Sequence, residues 1–449
     1  MYAILEDAAR RARLYLENLN ARPVAASAAA VTALSEFDQS LPQHGNALQT
    51  LAMLDRWVSP ATMAMAGPRF FGFVIGGALP VSLAANWLAS AWDQNTAFYE
   101  VTPGVAHLEA VALRWLTQLF ELPSSTGAGF VTGGTVANFT ALAAARHAVL
   151  ARLGWNVEAD GLFNAPAINV ITGDEAHPTL LKSLGMLGLG RSRIIRVPVD
   201  AQGRMRADAL PRLQAPSIVC LQAGNVNTGA FDPFVLLIEQ AHAAHAWVHV
   251  DGAFGLWAKA APSLRHLAAG LEQADSWATD AHKWLNVPYD CGLAFVRDAQ
   301  ALRAAMSITA EYLPAQGAQR NPSDFTPELS RRARGVEVWA ALHSLGQDGL
   351  AQLFERNCRQ AARFAQVLGD AGYHILNDVV LNQVLVSFGD EQRTRRVIAA
   401  LQKEGTCWCG VTVWQRRTAM RISVSSWATT DTDVERSLDA ILQVASATD

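Results

Sequence analysis

Apolar and polar positions alternate in two different ways along the middle of the chain, between about residues 67 and 297. Short β-type apolar runs predict strands at residues 129–132, 168–172, 193–199, 218–222, 247–251 and 291–296. Stretches with helical periodicity lie between them, at residues 136–153, 179–187 and 233–246. Because strands alternate with helices, this region is predicted to form a mostly parallel central sheet with helices on both faces.

The two ends of the chain differ from this middle region. Residues 1–66 are mainly helical and carry no apolar set that could form a core of its own. Residues 313–327 hold three Pro and one Gly without an apolar period, which is typical of a loop. After residue 331, helical and strand patterns mix. We therefore predict a helical arm at 1–66, a large α/β domain at 67–330 and a smaller C-terminal α+β domain at 331–449.

Composition narrows the possible partners and the compartment. Charged residues make up 17% of the chain, below the roughly 25% of an average soluble protein, so a large core, a subunit interface or both are expected. A net charge of −4 without a long basic run argues against nucleic acid and membrane as partners. Five cysteines without a CxxC pair, and no signal peptide at the start, predict a cytoplasmic protein without a metal site.

A Gly-Gly turn joins the first predicted strand of this region to its helix. Thr132, Gly133, Gly134 and Thr135 stand where the backbone must turn tightly and where the helix N-terminus attracts anions. The motif is neither a Walker A loop nor a GxGxxG fingerprint. On these residues alone, a phosphate site and an ordinary turn both remain open.

Two other strand ends carry polar side chains. Asp251 ends an apolar strand, where a carboxylate either caps the next helix or pairs with a cationic ring nitrogen. His177 follows another strand end, where it is either a structural hydrogen-bonding residue or a catalytic one. Ligands bind at the carboxyl ends of strands in open α/β sheets, which is why these positions are candidates.

Lys283 lies within residues 280–284, of sequence DAHKW. A lysine beside tryptophan inside a protein is costly unless it is paired or uncharged. Lys283 is therefore either a nucleophilic amine or a lysine whose ammonium reaches the surface.

The order of these motifs resembles that of the group II pyridoxal-phosphate (PLP) dependent amino-acid decarboxylases, which include the aromatic amino-acid, glutamate and histidine decarboxylases. The resemblance covers about residues 68–427. The matching segments are residues 68–71 (PRFF), 95–100 (NTAFYE), 132–138 (TGGTVAN), 176–177 (AH), 227–233 (NTGAFDP), 249–254 (HVDGAF) and 282–284 (HKW).

This resemblance implies PLP fold type I, which is aspartate-aminotransferase-like, and a homodimer with the active site at the interface and the arm wrapped around the partner. It implies that Lys283 holds PLP as a Schiff base, that His177 stacks on the cofactor ring and that Asp251 pairs with the ring nitrogen. The other implied cofactor-binding residues are Gly133, Gly134, Thr135, Asn227, Thr228, Ala253 and His282. The implied substrate-pocket residues are Phe70, Phe71, Asn95 and Phe98.

Two positions depart from the family pattern. Asp280 stands where animal relatives have Asn, and a carboxylate beside a phosphate is unfavourable unless a cation offsets it. We therefore expect Asp280 either to point away or to be offset by Arg331, Arg332 or Arg334.

The second departure lies on the loop at residues 313–327. Family decarboxylases place there a tyrosine that protonates the carbanion after CO2 leaves, and its loss is associated with oxidative deamination to an aldehyde. This chain has Asn321, Pro322 and Ser323 near that place, Phe325 as the nearest aromatic residue, and Tyr312 only before the loop. His177 is the alternative acid.

The leading hypothesis is decarboxylation of an L-amino acid to the amine and CO2. The first alternative keeps PLP but changes the reaction to that of another carbon–carbon lyase, an aldehyde synthase or an aminotransferase. The second is a catalytically silent relative that acts as an interaction protein.

Overall fold

The computed structural model describes residues 2–308 and 319–448. The α helices are α1 (Tyr2–Glu17), α2 (Ala28–Thr32), α3 (Ala47–Met53), α4 (Ser59–Ala61), α5 (Pro80–Trp92), α6 (Pro103–Leu119), α7 (Gly134–Ala151), α8 (Val157–Asp160), α9 (Pro178–Met186), α10 (Phe234–Ala243), α11 (Ala299–Met306), α12 (Gly335–Asp370), α13 (Glu391–Glu404) and α14 (Asp431–Ser446). The strands are β1 (Gly127–Val131), β2 (Asn169–Gly173), β3 (Ile195–Val197), β4 (Ser217–Gln222), β5 (Trp247–Asp251), β6 (Ser276–Asp280), β7 (Gly292–Val296), β8 (His374–Ile375), β9 (Gln383–Ser387), β10 (Gly410–Trp414) and β11 (Arg417–Ser423).

The chain forms two compact units. The first unit comprises Met1–Gly77, Ala362–Leu376 and Val384–Asp449, and the second comprises Ala78–Ala361 and Asn377–Gln383. The three-domain division expected from the sequence stays a prediction. Among the described residues, no helix is both long and apolar enough to cross a membrane.

The second unit is built around a seven-stranded sheet, as far as its described residues show, in the order β1-β7-β6-β5-β4-β2-β3. Strand β7 runs antiparallel to both of its neighbours, and the remaining pairs are parallel. Its central strands are buried along their whole length because helices such as α7 and α10 pack against them. The predicted mostly parallel α/β sheet is confirmed.

Strand β6 was missed by the sequence patterns. Three of its five residues, Ser276, Thr279 and Asp280, are polar, yet the strand is buried between β5 and β7. Its polar groups are accommodated because they find partners inside: Ser276, for example, accepts a hydrogen bond from the Trp247 indole at 2.9 Å.

The parallel strands bring their carboxyl ends to one edge of the sheet. Gln222 of β4 lies opposite Asp251 of β5, and Asp251 lies opposite Ala278 of β6. Asp280 ends β6 two residues later. Residues that are far apart in sequence therefore meet at the edge where open α/β sheets bind ligands.

The first unit contains an antiparallel sheet in the order β10-β11-β9-β8, against which α13 packs. The N-terminal segment joins this unit: Val24 donates a backbone hydrogen bond to Gly405, and Leu19, Val24, Ala64 and Phe70 form a small apolar cluster. Helix α1 has no fully buried residue, which agrees with the absence of a core of its own. The predicted smaller C-terminal α+β region is confirmed.

Helix α12 contains a kink. Gly346 lies at the kink with φ of 61°, a conformation that glycine adopts readily.

Candidate active site

The Gly-Gly turn packs tightly against the end of β6 and the start of β7. A Cβ on Gly134 would lie 2.8 Å from Asp280 Oδ2, and one on Gly133 would lie 3.1 Å from His282 Cε1. A Cβ on Gly292 would meet the Cα of Gly133 at 2.5 Å. Glycine is therefore required on both sides of this contact, and it lets the N-terminus of α7 face the side chains of residues 280–283.

Lys283 and Asp280 form an ion pair beside this turn. Lys283 Nζ lies 2.9 Å from Asp280 Oδ2, and the Asp280 side chain is only 2% exposed, against 23% for Lys283. The lysine is thus accessible while its partner is enclosed. Of the two arrangements expected for Asp280, neither is right: the carboxylate does not point away from the turn, and its cation is Lys283.

The three arginines proposed to offset Asp280 pair with other carboxylates. Arg331 binds Glu109, Arg332 binds Glu337, and Arg334 donates to Asp290 Oδ1 at 2.9 Å. The sequence does not show which acid each arginine binds, and in the structure none of these three pairs includes Asp280.

His282 is held in one tautomer. Its Nδ1 accepts a hydrogen bond from the Cys291 backbone N–H at 3.0 Å, so its hydrogen is carried on Nε2, 3.7 Å from Asp280 Oδ1. Burial lowers the pKa of His282, which keeps the ring neutral at pH 7. The Tyr289 ring covers it at 4.3 Å between centroids. His282 therefore offers a single N–H to this site.

Asp251 ends a chain of buried hydrogen bonds that runs in one direction. The Trp247 indole N–H donates to Ser276 Oγ at 2.9 Å, and Ser276 donates to His249 Nδ1 at 2.9 Å. His249 Nε2–H donates to Asn138 Oδ1 at 2.8 Å, and Asn138 Nδ2 donates to Asp251 Oδ2 at 3.2 Å.

The directions follow from the groups themselves. An indole nitrogen only donates, which makes the Ser276 oxygen an acceptor and frees its hydrogen for His249. Burial lowers the pKa of His249 to about 3, so the ring is neutral and has one donor and one acceptor. Every member is buried, and the chain presents Asp251 with a donor on one oxygen. The Ala253 N–H reaches the other oxygen at 3.2 Å.

The sequence motifs did not single out Asn138, His249 and Ser276 for this role. Asn138 lies one turn after Gly134, so α7 supplies both the turn and the group that holds Asp251. A fully buried asparagine on the sheet-facing side of a helix is the signal that could have identified it, because buried amides need partners.

His177 and Asp251 line one small cavity, together with Cys220, Gln222 and Glu175. His177 is also the N-cap of α9, where its Nδ1 accepts the Thr179 N–H at 3.3 Å. The resemblance implied that His177 stacks on the cofactor ring and that Asp251 pairs with the ring nitrogen. The structure places both residues at one cavity, and their roles toward a cofactor stay predictions.

The remaining cofactor-binding candidates lie on two loops. The Ala253 carbonyl accepts a hydrogen bond from the Asp280 N–H at 3.0 Å. This bond links the loop after Asp251 to the end of β6. Thr228 is fully buried, and its hydroxyl donates to the Gln202 carbonyl at 2.7 Å. Asn227 donates its N–H to Asn225 Oδ1 at 2.8 Å. Thr135 starts α7 beside the turn. Their roles toward a cofactor stay predictions.

The four substrate-pocket candidates lie in different units. Phe70 stacks on Trp408 at 5.1 Å, and Phe71 meets Phe364 edge-on at 5.1 Å, both inside the first unit. Asn95, in the second unit, accepts the Arg331 N–H at 3.0 Å, and Phe98 is half-buried nearby in sequence. Packing already accounts for both buried phenylalanines, and the pocket role of all four stays a prediction.

The described part of the predicted loop, residues 319–327, is held by hydrogen bonds to residues 97–99. Ser323 donates its N–H to Ala97 at 3.1 Å, and Asn321 Oδ1 accepts the Tyr99 N–H at 3.1 Å. The Arg320 guanidinium lies over the Phe325 ring at 4.4 Å. Tyr312 and residues 313–318 of the predicted loop lie outside the described residues.

Comparison with known proteins identifies the family. The model of the pyridoxal-dependent decarboxylase conserved domain matches residues 32–389.

This chain belongs to the pyridoxal-dependent decarboxylase family.

Its relatives act on different amino acids. It is 28% identical to tryptophan decarboxylase 1 of rice over 84% of this chain and 80% of the relative. It is 30% identical to L-2,4-diaminobutyrate decarboxylase of Rhizobium meliloti over 81% of this chain and 75% of the relative. Phenylacetaldehyde synthase of Arabidopsis thaliana is 25% identical over 91% of this chain and 88% of that protein.

The fold agrees with that of solved structures. The rice protein TDC with PLP and tryptamine superposes with a TM-score of 0.93 at 23% identity, covering 99% of this chain and 97% of that one. Mouse CSAD superposes with a TM-score of 0.90 at 21% identity, covering 99% and 98%. The predicted fold type I and the family membership are confirmed, and the protein is a PLP-dependent carboxy-lyase.

The residues at the edge fit PLP. The turn at Gly133 and Gly134 leads into the N-terminus of α7, which attracts a phosphate, and His282 adds one neutral donor beside it. Lys283 supplies a primary amine, and Asp251 supplies a carboxylate that can accept a hydrogen bond from a ring N–H.

Proposed function

We propose that this enzyme decarboxylates an L-amino acid to the amine and CO2, with Lys283 binding PLP covalently through its amine. The observation that carries the proposal is the position of Lys283: its Nζ lies 2.9 Å from Asp280, beside the Gly133–Gly134 turn. When bound, PLP supplies an electron-withdrawing ring that draws electrons from a bond at the substrate α carbon.

The other lysines support this assignment by contrast. The chain has four lysines: Lys182, Lys259, Lys283 and Lys403. Lys259 is buried between Glu121 and Glu272, with its Nζ 2.9 Å from each. Lys182 and Lys403 are exposed on helices α9 and α13. Lys283 is the lysine that combines partial burial with a position at the ligand-binding edge.

Asp251 is proposed to keep a proton on the ring nitrogen of PLP. Its two oxygens accept hydrogen bonds from Asn138 and Ala253, which orient the carboxylate. Both donors are neutral groups, so neither is a cation that would compete with the ligand for the carboxylate. His177, Thr135, Asn227 and Thr228 complete the proposed cofactor set.

Aldehyde synthesis is the second candidate, and two observations favour it. Residues 319–327 contain no tyrosine, and Asn321 and Ser323 are fixed by backbone contacts to residues 97–99. A curated relative is named as a phenylacetaldehyde synthase. In this reaction O2 and water are consumed, and the amino acid yields the aldehyde, CO2, ammonia and hydrogen peroxide.

A product screen tests both candidates. Purified protein loaded with PLP is incubated with each standard L-amino acid and with 2,4-diaminobutyrate, and CO2, amine, aldehyde and peroxide are measured. Amine with equimolar CO2 supports decarboxylation, whereas aldehyde with peroxide supports the second candidate. Product formation that persists in Lys283→Ala, or products without CO2, would contradict the proposal.

A homodimer with its active site at the subunit interface and a cytoplasmic location are part of the proposal. Family membership supports both. The dimer is also supported by apolar side chains that are exposed on α5, namely Trp87, Leu88 and Trp92. Sedimentation of the holoenzyme as a monomer at micromolar concentration would contradict the dimer.

A further inference from the structure

Asp280 places a second negative charge at the turn that is proposed to bind phosphate. A Cβ built on Gly134 would lie 2.8 Å from Asp280 Oδ2. A Cβ built on either Gly133 or Gly134 would lie 3.6 Å from Asp280 Oδ1. Within residues 2–308 and 319–448, Oδ1 has no hydrogen-bond partner although it is buried. A buried carboxylate oxygen without a donor is unusual in proteins.

Lys283 balances this charge, because its ammonium lies 2.9 Å from Oδ2. Covalent attachment of a cofactor to Lys283 would use the same nitrogen. Asp280 would then lose the free ammonium as its partner and gain a phosphate as its neighbour.

His282 cannot replace Lys283 as the cation. A second proton would have to go on Nδ1, and that atom already accepts the Cys291 N–H at 3.0 Å. The single hydrogen on Nε2 has two competing acceptors, Asp280 Oδ1 at 3.7 Å and a phosphate oxygen. One of them is left without it.

The other charged groups near this loop are already paired. Arg334 donates to Asp290 at 2.9 Å, and Arg332 binds Glu337. Tyr289 covers His282 and brings no positive charge. Among the described side chains that pack around Asp280, Lys283 is therefore the cation that offsets it.

We propose that Asp280 is a positioning residue that holds the Lys283 amine before the cofactor arrives and weakens the binding of the cofactor's phosphate group afterwards. The inference rests on the proposed function, because it takes the ligand to be a pyridoxal-type phosphate ester. It assigns to this chain a cofactor that is held less tightly, and exchanged more readily, than a neutral amide at residue 280 would allow.

The test measures binding of pyridoxine 5′-phosphate, which carries an alcohol in place of the aldehyde and cannot bond covalently to lysine. Isothermal titration compares wild type, Asp280→Asn, Lys283→Met and the double variant. Removing one negative charge beside the phosphate is expected to tighten binding at least tenfold in Asp280→Asn. Lys283→Met is expected to weaken binding at least tenfold, and the double variant to return close to wild type.

Two further measurements guard against altered folding. Asp280→Ser removes the charge without adding an amide and must shift affinity in the same direction. Inorganic phosphate, measured as a competitor, must bind more tightly to both neutral variants. Asp298→Asn is the matched control, since it makes the same charge change at the N-cap of α11, where Asn caps equally well, and it should leave affinity unchanged.

The outcomes separate the inference from the function on which it rests. If wild type binds pyridoxine 5′-phosphate but neutral variants at residue 280 bind it equally or more weakly, the Asp280 inference is wrong and the cofactor proposal stands. If wild type binds neither this ester nor PLP, both are overturned.

Discussion

The two ends of the candidate site differ in how completely their polar atoms are satisfied. On the Asp251 side, five buried groups form a chain in which each group donates a hydrogen bond to the next, from Trp247 to the carboxylate. On the Asp280 side, one carboxylate oxygen has no donor among the described residues, and the other depends on the ammonium of Lys283. Both lie at the same edge of one sheet.

The difference indicates which part is fixed in advance and which part changes with the ligand. A satisfied, buried network has one arrangement and resists change, because breaking it leaves an unpaired group in a low-dielectric interior. Asp280 is paired with the Lys283 amine, so its electrostatic surroundings would change when that amine reacts. We therefore infer that the end proposed to bind the ring serves orientation, and that the end proposed to bind the phosphate allows exchange.

The largest effect is expected from neutralising the fixed end. Asp251→Asn keeps the shape but removes the charge that is proposed to hold a proton on the ring nitrogen. It also turns one acceptor into a donor that faces Asn138 or Ala253. We expect the rate of CO2 release to fall by about 10²–10³-fold, the range seen when one preorganised electrostatic group is removed. Steady-state kinetics on protein saturated with PLP measures it, and a loss below about threefold would contradict the assigned role.

Cutting the chain behind Asp251 should have the next largest effect. Asn138→Ala leaves His249 and Asp251 without their shared partner, so the free energy of unfolding should fall by about 1–3 kcal/mol. The rate constant kcat should fall about tenfold with KM unchanged, because the orientation of Asp251 is lost rather than substrate contacts.

Thr140→Ala is the matched control on the same helix, since the hydrogen bond recorded for the Thr140 hydroxyl among the described residues goes to Val136 of α7. A fall in kcat of equal size in both variants would show that the effect of Asn138 is structural rather than positional.

At the exchangeable end, Gly134→Ala should weaken cofactor binding. Its Cβ would lie 2.8 Å from Asp280 Oδ2, so the carboxylate or the turn must shift at the phosphate position. The expected increase in Kd for PLP is about tenfold, or roughly 1.4 kcal/mol. Gly104→Ala is the control, because nothing lies within 4 Å of its added Cβ. Equal affinity of both variants would contradict the placement of the turn.

The last prediction is a pH dependence of stability at the fixed end. Burial lowers the pKa of His249 to about 3, below its ordinary value of 6.5, so the folded chain resists protonation that the unfolded chain accepts. The stability linked to His249 is therefore fully present above about pH 6.5 and is lost as the pH falls toward 3.

His249→Gln keeps a donor and an acceptor but does not titrate. The free energy of unfolding of wild type relative to this variant should fall by about 1.4 kcal/mol for each pH unit below about 6.5. Denaturant unfolding between pH 7.5 and pH 5 measures this difference. Parallel pH curves for the two proteins would contradict a neutral, buried His249.

The sequence predicted the elements whose apolar pattern is continuous. Strand β5 has the predicted bounds because all five of its residues are buried and the run is short and uninterrupted. Strand β6 was missed because its burial depends on partners from β5 and on its position between two strands, which no local pattern records.

The site was predictable in its order of motifs but not in its contacts. Gly133, His177, Asp251 and Lys283 stand at turns and strand ends, where residue type and position carry the signal. The sequence does not show whether Lys283 or Arg334 faces Asp280, because the direction of each side chain decides which carboxylate it meets. Lys283 pairs with Asp280, and Arg334 pairs with Asp290. Phe70 and Phe71 were proposed for the substrate pocket from their sequence motif, but both pack against other aromatic rings. The sequence alone does not distinguish a pocket aromatic residue from a core one.

The central claim is that Lys283 carries the cofactor, and reduction of the PLP-loaded protein with borohydride tests it most directly. Reduction fixes the cofactor to whichever lysine holds it, and peptide mass spectrometry then locates the label among the four lysines. We predict one phosphopyridoxyl group per chain, on Lys283, and none in Lys283→Ala. Label on Lys182, Lys259 or Lys403 in the wild type, or equal labelling of Lys283→Ala, would contradict the account.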